Sequence, residues 1–80
     1  MESVVVAVAG LGGRVAVEAE KIDDVDSRRN CNKPLLEAHE QVIDLGELAV
    51  RLIARGASER EGMLLAVVTK DDAVSAAAIL

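Results

Sequence analysis

Three groups of residues in this 80-residue chain are of types that could do chemistry. The first is the glycine turn G-L-G-G, residues 10–13, which follows the apolar run Val4–Ala9. A glycine-rich turn after a strand can present backbone N–H groups to an anion when a helix starts directly behind it. Gly10, Gly12, Gly13 and Arg14 are therefore the candidate anion-binding residues. A dinucleotide-binding fingerprint is excluded. Val15 stands where the third small residue belongs, and a chain this short cannot supply both halves of that fold. No Lys-Ser or Lys-Thr pair follows the glycines, so the turn is not a Walker loop.

The second group is Cys31 and His39, each the sole residue of its type. Cys31 stands among Arg28, Arg29 and Lys33, cations that favour a thiolate. A nucleophilic relay needs a base presented to the nucleophile, and no recognisable signature surrounds either residue. They read as an unpaired loop cysteine and a histidine at the boundary of an apolar face. The third group is Asp23, Asp24 and Asp26. A calcium loop counted from Asp24 would need glycine at its sixth position and glutamate at its twelfth, where Arg29 and Leu35 stand. A solvated acidic turn is the better reading. One cysteine and one histidine also cannot build a structural zinc cluster. No catalytic residue, metal or cofactor is expected.

The elements that must position these residues follow from periodicity. Val4–Ala9 is a continuous β-branched run and reads as a strand buried on both faces. Residues 14–20 fit two templates. As a strand they set Val15, Val17 and Ala19 on one side; as a helix they align Val15, Ala19 and Ile22. The glycine turn depends on the outcome: a helix there makes an anion site, and a strand makes a hairpin turn. Residues 22–33 read as loop.

Pro34–Arg55 carries the strongest helical pattern. Leu35, Ala38, Val42, Leu45, Ala49 and Leu52 form one stripe, and Leu36, His39, Ile43, Gly46, Val50 and Ile53 a second. Asn32 and Pro34 offer a start and Gly56 a stop; Gly46 falls inside at a cost of about 1 kcal/mol against alanine, and the alternative is a separate first piece with a break near Asp44–Gly46. The double stripe is wider than one sheet face covers. Its excess, Leu36, Ile43, Val50 and Ile53, is the expected contact with a twin or a partner protein. Residues 57–62 read as a charged loop and Met63–Thr69 as a second buried strand. Lys70–Leu80 reads as a helix capped by Thr69 or Asp71, with Ala73, Ala76, Ala77 and Leu80 inward.

Bulk properties narrow the class. The chain makes one domain, residues 1–80, of the α+β class: a small sandwich, with a β-sheet carrying helices on one face. Its core must be built from Ala, Val, Leu and Ile, because it has no aromatic residue. A domain this small is marginal alone, and no internal disulfide is available, so a homo-oligomer or a protein partner is expected. A formal charge of −5 and the absence of aromatics argue against nucleic acid. No apolar run reaches the length of a membrane helix, and no basic segment precedes the first apolar run, so neither membrane nor export is expected. A lone thiol fits the cytoplasm.

Two family resemblances follow. GLGGRVA, residues 10–16, is similar to the G-L-H-A-R-P-A loop of the histidine-containing phosphocarrier proteins (HPr) of the sugar phosphotransferase system, matching at Gly10, Leu11, Arg14 and Ala16. Downstream, LGELAVRLIARGA, MLLAVVT and KDDAVSAAAIL resemble that family's later helix, strand and terminal helix. The resemblance implies an open-faced α+β sandwich. The family's phosphoryl-accepting histidine falls at Gly12 and its proline at Val15. Glycine has no nucleophile, so phosphorelay there is impossible. VAVEAEK (15–21) and IDLGELAVRLIARGA (43–57) also resemble segments of the small coupling (effector) proteins of multicomponent monooxygenases, which implies a subunit of a larger enzyme. The expected function is a non-enzymatic interaction or regulatory module. The rival is a small-molecule or anion-binding protein using the glycine turn.

Overall fold

The computed structural model describes residues 3–11, 15–24, 26 and 28–80, and among them lie five strands and two helices. The strands are β1 (Ser3–Val6), β2 (Val17–Ile22), β3 (Cys31–Leu35), β4 (Ala38–Asp44) and β5 (Ala49–Arg55). The helices, α1 (Glu59–Leu65) and α2 (Lys70–Ile79), follow the last strand. One antiparallel sheet runs β1-β2-β5-β4-β3, so the last strand of the sequence is the middle strand of the sheet. The result is a small α+β domain. Its radius of gyration, 11.3 Å, is close to the ~11.6 Å expected of a compact chain of this length.

Central position explains the composition of β5. Ala49, Val50, Leu52 and Ala54 are completely buried. Register places Val50, Leu52 and Ala54 on the same face as Val17 and Ala19 of β2, and as Val4 and Val6 of β1. These residues join Leu65 of α1 and Ala76 of α2 in one buried cluster. The opposite face carries Glu18 and Glu20 of β2, Arg51, Ile53 and Arg55 of β5, and Glu40 of β4. Arg51 bridges two strands there: its Nη1 donates to Glu20 Oε1 at 2.6 Å, and its Nε lies 3.3 Å from Glu40 Oε2. Arg55 Nε donates to Glu18 Oε1 at 2.8 Å. Ile22, Val42 and Ala49 form a small second cluster.

The largest correction concerns Pro34–Arg55. It is not a helix but the end of β3 followed by the β4–β5 hairpin. Both templates fit the apolar spacing, and the turn chemistry decides. Gly46 has φ +94°, Asp44 Oδ1 accepts its N–H at 2.8 Å, and Leu45 N–H donates to Leu48 O at 2.8 Å. An Asp-x-Gly turn of this kind reverses the chain where a helix would have to continue. Pro34 sits on an edge strand, where its missing N–H is tolerated.

Residues 57–69 need a second correction. The expected loop and strand are instead α1 and the turn after it. Ser58 and Glu61 form a reciprocal capping box, a sequence signature of a helix start that outweighs the short apolar run MLLAVVT. The terminal helix agrees with expectation. Thr69 caps α2 in a capping box with Asp72, Ala73 and Ala76 are buried, and Ala77 and Leu80 pack beside the core. The first strand is shorter than expected and is a sheet edge rather than a strand buried on both faces: Val5 is 68% exposed.

Candidate interaction surface

The residues singled out for chemistry are dispersed by the fold. Gly10 lies in a turn closed by Leu11 N–H donating to Val8 O at 3.2 Å, and its φ of +92° is one that glycine adopts without strain. Gly12, Gly13 and Arg14 lie outside the described residues. The next element is a strand, β2, and among the described residues the first α-helix begins at Glu59. Cys31 and His39 occupy opposite faces of the sheet. Cys31 pairs with Val42, and His39 pairs with Pro34 on the helix-bearing face. Cys31 is a free, exposed thiol. His39 Nε2 hydrogen-bonds Asn32 Oδ1, and its ring lies against Gly62 of α1. Asp24 Oδ1 accepts Asp26 N–H at 3.0 Å, an Asx turn after β2. Among the described residues no group of three His, Cys, Asp or Glu side chains is placed to hold a metal.

The expected interface residues do not form one exposed surface, although Ile43 and Val50 pair directly across β4 and β5. Val50 is fully buried and Ile43 is 8% exposed, both on the helix-bearing face. Ile53 is half-buried on the opposite face, between Glu18 and Glu40. Leu36 alone is open to solvent, 94% exposed in the β3–β4 turn. These four shared a stripe only under the helical period; with a period of two they separate onto two faces and a turn.

A different surface emerges at the sheet edges. Any edge strand presents unpaired backbone N–H and C=O groups, and proteins commonly guard such edges with lysine or proline. The β3 edge has both, in Lys33 and Pro34. The β1 edge has neither, since its residues are Ser-Val-Val-Val. The chain carries no charge from Ser3 to Gly13. Beside the far end of β1 lies an apolar recess of about 450 Å³ lined by Val5, Val6, Val8, Leu11, Val15 and Ala16. Sequence reasoning missed this surface because an edge is a property of strand order, which no local pattern encodes.

The fold and this surface define a small antiparallel α+β domain with one guarded and one open sheet edge. Compared with known proteins, the chain matches no family model, no curated protein sequence and no solved structure. Among the described residues, no helix is long and apolar enough to cross a membrane.

Proposed function

We propose that this protein is a non-enzymatic interaction module that works as a homodimer joined through β1. The observation that carries the reading is the uncharged, unguarded β1 edge with its apolar recess. A strand added there gains main-chain hydrogen bonds, and the recess beside it takes apolar side chains. The occupant is a second copy. Two β1 strands pair antiparallel about a two-fold axis, so each contact is made twice, and no charges oppose one another in a chain of formal charge −5. Val4, Val5 and Val6 then face valines or Ser3, which suits β pairing. Dimerisation also supplies the association that so small an aromatic-free core needs.

In this reading the domain is an open-faced sandwich. The shared face of the core residues supports that description, as does the ionic character of the other face. The exposed thiol of Cys31 is consistent with a reducing, cytoplasmic setting. Phosphorelay has no part in it, because Gly12 offers no nucleophile.

Sedimentation of the purified chain tests the proposal. The wild type is expected to sediment as a dimer at micromolar concentration. Val5→Lys places two like charges near the two-fold axis and is expected to give a monomer with an unchanged far-UV circular dichroism spectrum. A wild type that remains monomeric across the micromolar range overturns the reading, as does a dimer that Val5→Lys leaves intact.

A further inference from the structure

The connection from β2 to β3 passes the ends of β5 and β4 before it enters the far edge of the sheet. Its last residues are pinned beside the β4–β5 turn, where Asn30 Oδ1 accepts Asp44 N–H at 2.7 Å. Between residues 28–30, the turn at residues 44–46 and the start of α2 lies an open cleft of about 570 Å³. Arg28, Arg29 and Lys70 line it, three of the nine cations in an acidic chain. The other lining residues are Asn30, Asp44, Leu45 and Gly46.

These cations differ from those on the sheet. Arg51 and Arg55 are matched by carboxylates within 4 Å. Among the described residues, Arg28, Arg29 and Lys70 have no ion pair. The one lining carboxylate, Asp44, has Oδ1 committed to Gly46 N–H. The acids in the first turn of α2 do not line the cleft, and Asp72 is held by Thr69.

From this juxtaposition we infer that the cleft binds a diphosphate group. Three positive charges against one carboxylate leave a net of plus two, which complements a diphosphate better than a single carboxylate. Arginine forks suit phosphate oxygens, and Lys70 adds a point charge at a helix N-terminus. The cleft is open, so the diphosphate would be borne on a larger molecule whose remainder stays in solvent. The chain has no Phe, Tyr or Trp, and its one imidazole, His39, does not line the cleft, so recognition is of the phosphates themselves.

Titration of isotope-labelled protein with inorganic pyrophosphate, followed by amide chemical shifts, tests the inference. Saturable shifts are expected at Arg29, Asn30, Leu45, Gly46 and Lys70, with orthophosphate binding several-fold more weakly. Replacing Arg28→Gln and Arg29→Gln together is expected to weaken pyrophosphate binding at least about tenfold. Lys33→Gln, which removes a cation on β3 outside the cleft, should change it by no more than about twofold. Absence of saturable shifts at millimolar pyrophosphate overturns the site. Equal affinity for orthophosphate overturns the diphosphate class, and equal weakening by Lys33→Gln shows only a diffuse attraction of anions. The wild-type shift map needs no variant to fold, and none of its outcomes depends on whether the chain dimerises.

Discussion

His39 and Gly62 account for each other. A Cβ added to Gly62 would lie 2.7 Å from His39 Nδ1 and 3.2 Å from its Cγ. Glycine is otherwise a poor choice inside a seven-residue helix, costing about 1 kcal/mol against alanine. The imidazole thus packs against α1, half-buried and hydrogen-bonded to Asn32. A double-mutant cycle separates the two contributions. Gly62→Ala is expected to destabilise the wild type by about 1 kcal/mol, because the ring must move. In a His39→Ala background it is expected to stabilise by about 1 kcal/mol, the intrinsic preference of the helix. Equal effects in both backgrounds, measured by urea denaturation, would show that the ring is not the reason for the glycine.

At the scale of elements, the β4–β5 hairpin rests on its turn. Gly46 at φ +94° occupies backbone space that a Cβ makes costly, although nothing lies within 4 Å of where that Cβ would be. Gly46→Ala is therefore expected to destabilise by roughly 1–2 kcal/mol through backbone strain alone. The sign is the informative part. In a helix over the same residues the substitution would stabilise by about 1 kcal/mol. A shift of the denaturation midpoint to higher urea would contradict the hairpin. The apolar residues of this segment were legible in the sequence, but their arrangement was not. Valine, leucine and isoleucine at Val42, Ile43, Val50, Leu52 and Ile53 satisfy a helical stripe and two strand faces equally well. The glycine that weakened the helical reading was the decisive residue. The Ser58–Glu61 box likewise marked α1 locally, although the apolar run beside it pointed to a strand.

For the molecule as a whole, the two helices are held by few large side chains. Gly62 and Leu65 are the buried residues of α1, and α2 buries only alanines. Leu65 is fully buried and is the largest side chain that a helix commits to the core. Leu65→Ala is expected to cost about 3 kcal/mol, from a total that for a chain of this length lies near 4–12 kcal/mol. Thermal unfolding would show a substantially lower midpoint, and a loss under about 1 kcal/mol would mean that α1 is not anchored there. The ionic face contributes differently. Arg51 sits between Glu20 and Glu40 with 29% of its side chain exposed and fixes the register of three strands, while the Arg55–Glu18 pair is more exposed and correspondingly weaker.

What the sequence determined by itself is local or compositional: an α+β domain without Phe, Tyr or Trp, a glycine-bearing turn after the first apolar run, an acidic turn near residue 24, and a terminal helix over residues 70–80 capped by Thr69 or Asp71. Each depends on neighbours within a few positions, where capping and turn chemistry act directly. What tertiary structure decided is everything that depends on which segments become neighbours. Placing β5 in the centre made Val50 core and left β1 at an edge. Carrying the β2–β3 connection across the sheet brought Arg28 and Arg29 beside Lys70, some forty residues away. Strand order follows from the summed burial of the whole sheet, so no single stretch of the sequence carries it.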